Sequence, residues 1–472
     1  MTPLWTSADL TKALRVEPEG EAGVPVTGVS IDTRTLQPGD LFVALRDQRD
    51  GHEFVAAAFK AGGAAALVGR NYSRQIGDGI LFRTSDPLDG LVALGRAARE
   101  RLSPDARVVA VTGSAGKTGT KEMLRACLSR LGATHASEKS YNNHWGVPLT
   151  LARMPADTRF GVFEIGMNHA DEIRPLTKMV RPHAAIITTV EAVHLEHFPS
   201  VAAIADAKGE IFEGLLPGGA AIIKRDNPYA DRLIEIANRL GVEPVTFGFD
   251  RNADVHGSDF QASDDGSDMT VHVAGMSIPL HLGMPGRHIA ENALAVAAAI
   301  HAIGADVRAA LVALADLAPP SGRGARSMLH VGDGQALMID ESYNANPASM
   351  TAALATLGTV PRKTYPRRIA VLGDMLELGI EAPALHAGLK GAVEAAGVDL
   401  VFACGPHMKG LYDALPAPKK GGYSPTSQAL EAALADSLRA GDVVMVKASN
   451  GTRLGRVVEA LKTQFGKKGA AA

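Results

Sequence analysis

From about residue 107 onward, short runs of β-prone apolar residues alternate with longer stretches whose apolar positions recur at helical spacing. That alternation predicts an α/β protein with parallel sheets covered by helices. The runs 108–111, 160–163, 184–189, 337–339, 369–372, 400–403 and 443–446 read as strands. Polar chemistry follows each of them: a glycine loop, Glu164, His194, Asp340 and Glu341, Gly373 and Asp374, Cys404 and Gly405, and Lys447. Ligands of open parallel sheets bind beyond the carboxyl ends of strands, so these residues predict a site on one edge. Polar residues also end strands where no ligand binds, and the pattern alone leaves that reading open.

The first hundred residues differ. Mixed short strands around 26–32, 40–44, 65–68 and 80–83, with a helix over 53–61, predict a separate small α/β domain. Leu102-Ser103-Pro104-Asp105 reads as one joint. A second lies at 317–324, where two prolines and two glycines follow an Ala-rich helical stretch. The expected organisation is three domains, at 1–103, 104–318 and 319–472.

Composition supports compact domains: 46% of the 472 residues are hydrophobic and 21% charged. A net charge of -3 provides no basic field for nucleic acid or an anionic membrane. The two cysteines, Cys127 and Cys404, exclude a disulfide framework and fit a reducing compartment. The start lacks a charged segment followed by an apolar core, and no apolar run is long enough to span a bilayer, so a cytoplasmic protein is expected.

The strongest chemical signal is Thr112-Gly113-Ser114-Ala115-Gly116-Lys117-Thr118 between a strand and a helix. Glycines let backbone N–H groups approach phosphate oxygens, the helix N-terminus favours negative charge, Lys117 neutralises it, and the Thr118 hydroxyl can reach magnesium. Val111 stands where the full G-x-x-x-x-G-K-[ST] spacing would put glycine. Downstream of this loop, Glu164 at a buried strand end is better read as a metal ligand than as a helix cap.

Other positions are weaker on pattern alone. His194 reads as a structural histidine after a strand, and Lys208 as a solvated helical lysine. Asn292 reads as a residue that begins an Ala-rich helix, although its amide could hold a base or a phosphate. Asp340-Glu341-Ser342-Tyr343-Asn344-Ala345-Asn346-Pro347 could bind a ribose or a peptide, or be only a turn. Asp32-Thr33-Arg34, and His52 at a helix start, suit a diphosphate, but on pattern alone a surface ion pair is the stronger reading.

Together these segments resemble the Mur ligases of peptidoglycan precursor synthesis, over residues 26 to 456. The resemblance rests on the glycine loop, Asn142-Asn143-His144-Trp145-Gly146-Val147-Pro148, Glu164-Ile165-Gly166, His194, Lys208 and Glu291-Asn292-Ala293-Leu294. Ser30 to Arg34, Gly51 to Phe54, Asp340 to Pro347 and Gly373 to Gly379 are similar to the branch that adds D-alanyl-D-alanine to UDP-N-acetylmuramoyl-tripeptide. The resemblance implies an N-terminal domain holding the UDP part of the precursor, a central ATPase domain with a P-loop, and a C-terminal Rossmann-like domain. It implies an acyl-phosphate route and ATP with two Mg2+ ions; a monomer is expected, although the sequence carries no signal of oligomeric state.

By the same resemblance, Lys117, Glu164, His194 and Lys208 are catalytic, and Thr118, Glu164, His194 and a carbamylated Lys208 hold metal. Gly113, Ser114, Ala115, Gly116, Lys117, Thr118, Gly119, Asn292, Arg323 and Asp340 would contact ATP. Asp32, Thr33, Arg34, His52, Asn142, Asn143, Tyr343, Asn344, Asn346, Lys447 and Ser449 would contact substrate. Ala448 and Asn450-Gly451 depart from the family pattern around Lys447 and Ser449. Two other readings compete: a related Mur or folylpolyglutamate-type ligase adding a single amino acid, and a P-loop switch or motor that hydrolyses nucleotide without a peptide substrate.

Overall fold

A computed structural model describes residues 3–20, 23, 25–193, 195–263 and 266–466. The fold is α/β, in three domains, each built on its own sheet. The N-terminal sheet is four parallel strands in chain order, Gly28–Ser30, Asp40–Val43, Ala65–Gly69 and Ile80–Thr84. All residues of the second and third strands are buried, which accounts for their continuous apolar runs.

The central sheet has nine strands. Seven run parallel or join a parallel neighbour, in the order Val255–Ala262, Glu243–Gly248, Ala220–Lys224, Ala184–Ile187, Arg107–Thr112, Phe160–Glu164 and Thr134–Ala136. The chain leaves Arg107–Thr112 towards one edge and Ala184–Ile187 towards the other, which opens a crevice at their carboxyl ends. Ser267–Val273 and Met276–Leu282 extend the sheet antiparallel, a feature the parallel pattern does not predict. Its signal is in the sequence all the same: burial in these two strands alternates with period two.

Against this sheet packs the helix Arg287–Ala302, in which Ala290 and every residue from 292 to 300 are buried. Its many alanines allow it to lie close between the sheet and the helix Lys117–Ser129, whose buried Met123, Leu124 and Leu128 join the same core. Asn292 stands in the second turn of this helix; the expected helix start is at Arg287 because Gly286, at φ +118°, breaks the chain before it.

The C-terminal sheet runs Ala325–Val331, Gly334–Glu341, Asp442–Lys447, Arg367–Gly373, Leu400–Cys404 and Lys420–Ser424, parallel except for the first pair. Among the described residues no helix is long and apolar enough to cross a membrane.

Candidate active site

The carboxyl ends of the central and C-terminal sheets face a common cavity of about 480 Å³. Its floor is the glycine loop. Gly113 and Gly116 have φ of +148° and +82°, and Gly116 precedes the first residue of the helix Lys117–Ser129. A Cβ on Gly113 would lie 1.9 Å from Thr188 Oγ1, and one on Gly116 would lie 2.8 Å from Asn292 Oδ1. Only glycine fits both places. The loop is braced by the chain after Ala184–Ile187: Ser114 N–H donates to Thr189 O (2.9 Å), and Glu191 N–H donates to Ser114 Oγ (2.9 Å). Thr188 Oγ1 donates to Ala115 O.

Lys117 Nζ donates to Gly113 O at 2.5 Å. Burial holds its pKa below the usual lysine value, against the pull of the Glu164 carboxylate, with Arg323 adding to the depression. Glu164, 2% exposed, accepts from Thr118 Oγ1 (2.9 Å) and from Asn142 Nδ2 (2.8 Å). Ser140 Oγ lies 3.1 Å from Thr118 Oγ1. Two hydroxyls and one buried carboxylate thus converge beside the phosphate loop. Hard oxygen donors with a single carboxylate suit magnesium, which completes its shell from water and substrate phosphates. Among the described residues no three His, Cys, Asp or Glu side chains form a metal cluster.

Lys208, on the helix Val201–Gly209, is 2% exposed. No described residue gives its ammonium a hydrogen bond or an ion pair. Burial, reinforced by the Lys117 charge, pushes its pKa well below the usual lysine value. The expectation of a solvated helical lysine is therefore corrected: the helix turns this face inward, beside the Ile204 and Ala205 core positions. His194 lies outside the described residues.

From the C-terminal side, Tyr343, Asn344, Asn346 and Lys447 line the cavity, and so does Arg323 from the joint between domains. Arg323 stacks over the Tyr343 ring at 4.2 Å. Lys447 Nζ pairs with Glu341 (3.2 Å) and donates to Asn344 O (3.0 Å). Asn346 caps the helix Pro347–Thr359 through Oδ1, and its Nδ2 donates to Ser114 O (3.3 Å), joining this domain to the glycine loop. Ser449 is one step back, donating to Ala345 O (3.3 Å) and accepting from Leu376 N–H (3.0 Å).

Other expected residues stand elsewhere. Asp340 is buried, with its carboxylate accepting from Gly322 N–H, Ser342 N–H and Ser342 Oγ, so it shapes the Arg323 turn. Asn143 Oδ1 accepts from Gly146 N–H at the start of the next helix. Asp32, Thr33, Arg34 and His52 belong to the N-terminal domain, outside the cavity lining. Asp32 pairs with Arg34, whose hydrogen bonds hold it at about 2, and Lys139 of the central domain adds to the lowering. His52 Nε2 accepts from Gly69 N–H, so Nδ1 carries the proton, 2.5 Å from Asp50 Oδ1. Both ring nitrogens are therefore engaged within the protein.

Sequence reasoning missed Ser140, Thr188, Glu191 and the pair Lys224–Glu291 (2.7 Å), all of which line the cavity. Ser140 stands two residues before Asn142, a proximity that is its only local signal.

Residues 111–300 match the Mur ligase middle domain, and residues 325–450 match the domain described as Mur ligase, glutamate ligase domain. UDP-N-acetylmuramoyl-tripeptide--D-alanyl-D-alanine ligase of Escherichia coli K12 is 39% identical over 406 residues, covering 85% of this chain and 86% of the relative. The enzyme of that name from Rickettsia prowazekii is 30% identical over 457 residues, covering 97% and 99%. A crystal structure of MurF from Acinetobacter baumannii superposes with a TM-score of 0.83 at 27% identity, covering 97% of this chain and 99% of that one.

Proposed function

The chain belongs to the Mur ligase family, and from that premise we propose that it is the ATP-dependent ligase joining D-alanyl-D-alanine to UDP-N-acetylmuramoyl-tripeptide. The observation that carries the proposal is the hydrogen bond from Asn346 to Ser114, which brings the substrate-type segment 340–347 onto the glycine loop in one cavity.

We assign the UDP part of the precursor to residues 1–103, ATP to 104–318 and closure over the site to 319–472. In the reaction, the tripeptide carboxylate takes the γ-phosphoryl group of ATP, and the dipeptide amine then displaces phosphate from the acyl phosphate. Magnesium would neutralise the charge between the two anions that meet in the first step. Thr118, Glu164 and Ser140 would hold one ion; His194 and Lys208, as a carbamate, would serve a second. The neutral amine is the form that adds CO2, and burial lowers the cost of reaching it.

The loop amides and Lys117 would hold the phosphates, with Asn292 and Arg323 flanking the nucleotide. Tyr343, Asn344 and Lys447 would orient the acceptor, its amine being aligned by the closing of the cavity against water. We further assign the protein to the cytoplasm as a monomer. Product formation from UDP-muramoyl tripeptide, D-alanyl-D-alanine and ATP tests the proposal; ATP hydrolysis without ligation would refute it.

A further inference from the structure

One loop of the C-terminal domain reaches the central domain at a contact other than the Asn346–Ser114 hydrogen bond. The loop Met375–Gly379 follows the strand Arg367–Gly373 and is tied down within its own domain. Met375 N–H donates to His386 Nε2 (2.9 Å), Leu376 N–H donates to Ser449 Oγ (3.0 Å), and the buried Met375 and Leu378 anchor it. Its far end turns sharply, with Glu377 and Gly379 at φ of +63° and +56°. For Glu377 this left-handed backbone is strained, as it is for any residue with a Cβ.

The turn brings the loop against the central domain. Glu196 N–H faces Glu377 O at 3.5 Å, and a Cβ on Gly379 would lie 3.4 Å from Glu196 Cα and 3.5 Å from its nitrogen. Residues 195–196 lead into the helix Val201–Gly209, which carries Lys208. Ser449 is shared: it holds the loop through Leu376 and the acceptor-side turn through Ala345.

We propose that Met375–Gly379 is a positioning strap, which fixes the Leu195–Glu196 segment of the central domain from the acceptor side of the C-terminal domain. Closure of the C-terminal domain then sets the phosphate side of the cavity and the acceptor side together. The strap touches no reacting atom. The step it governs rests on the ligase reading.

The variant Gly379→Val places branched carbon against the Glu196 backbone at a φ that valine resists. The result expected is a fall in kcat of about 100-fold, the size of a misplacement near 1 Å, with KM for D-alanyl-D-alanine unchanged. Hydrogen exchange gives a readout independent of turnover: in the presence of a non-hydrolysable ATP analogue and the dipeptide, the Glu196 amide is protected in the wild type and exposed in Gly379→Val, while amides of the Arg107–Thr112 strand stay protected in both, showing that the variant is folded. Gly379→Ala, with its Cβ in ordinary contact, falls between. Ile380→Ser alters a neighbouring side chain that is 95% exposed and leaves both readouts at wild-type values. Wild-type kcat with wild-type Glu196 protection in Gly379→Val overturns the strap, as does a rise in KM alone. A wild type that makes no amide refutes the ligase reading instead, and the exchange measurement still decides the strap.

Discussion

Lys208 shows how far a single residue can depart from its pattern. A lysine among alanines on a helix reads as solvated, yet here it is buried with no partner among the described residues, and its pKa is depressed. The unfolded chain holds a proton at this position that the folded chain sheds, so stability rises with pH up to the ordinary lysine value, about 10.4. Lys208→Met, measured without metal or nucleotide, raises the melting temperature by about 2–4 °C for each kcal/mol of burial cost relieved, and the gain shrinks as pH rises from neutral. It also abolishes ligation. If the carbamate is the working form, Lys208→Ala recovers activity with a short-chain carboxylic acid, and wild-type activity depends on bicarbonate; absence of both would leave Lys208 as the free amine. Lys117→Ala lowers kcat at least about 100-fold, as expected for a lost charge clamp. Burial pushes the thiols of Cys127 and Cys404 up to about 12 and about 11. A thiol reagent at pH near 8 therefore labels neither cysteine until denaturant is added. Glu164 was legible because a buried strand-end carboxylate needs a partner; Ser140 was not, because a hydroxyl in a loop carries no periodicity.

At the scale of elements, the strand ends of the central and C-terminal domains follow directly from apolar runs that stop in polar residues. The antiparallel strands at 267–282 went unread because attention to continuous runs passes over period-two alternation. The glycine loop was legible as a tight strand-to-helix turn despite Val111. Its dependence on Asn292 was not, since the two positions are 176 residues apart in sequence and meet only in the fold. Gly116→Ala, which sets a Cβ against Asn292 at positive φ, abolishes binding of a fluorescent ATP analogue. Asn346 offers a cleaner separation, because it both caps a helix and bonds to Ser114. Asn346→Asp keeps the cap, since the two residues are equivalent there, and replaces the donor facing Ser114 O with an acceptor. The expected outcome is an unchanged melting temperature with KM for ATP raised about tenfold, in the range of a lost hydrogen bond with added repulsion.

For the whole molecule, the three-domain plan was legible from two joints and a change of strand spacing, while the meeting of domains was not. Arg153 of the central domain donates to Val29 O, Trp5 Nε1 donates to Ala152 O, and Arg101 donates to Met154 O, so the first and second domains are fastened by pairs far apart in sequence. His52 illustrates the limit: its place at a helix start suggested a ligand contact, but the fold uses both of its ring nitrogens. The acceptor is the property that separates this protein from ligases of single amino acids on the same fold, and the segment 340–347 is its proposed marker. The most direct measurement is phosphate release with UDP-muramoyl tripeptide and ATP, comparing D-alanyl-D-alanine with single amino acids as acceptors. Turnover with the dipeptide far above that with any single amino acid is the predicted result; equal or faster turnover with a single amino acid would contradict it.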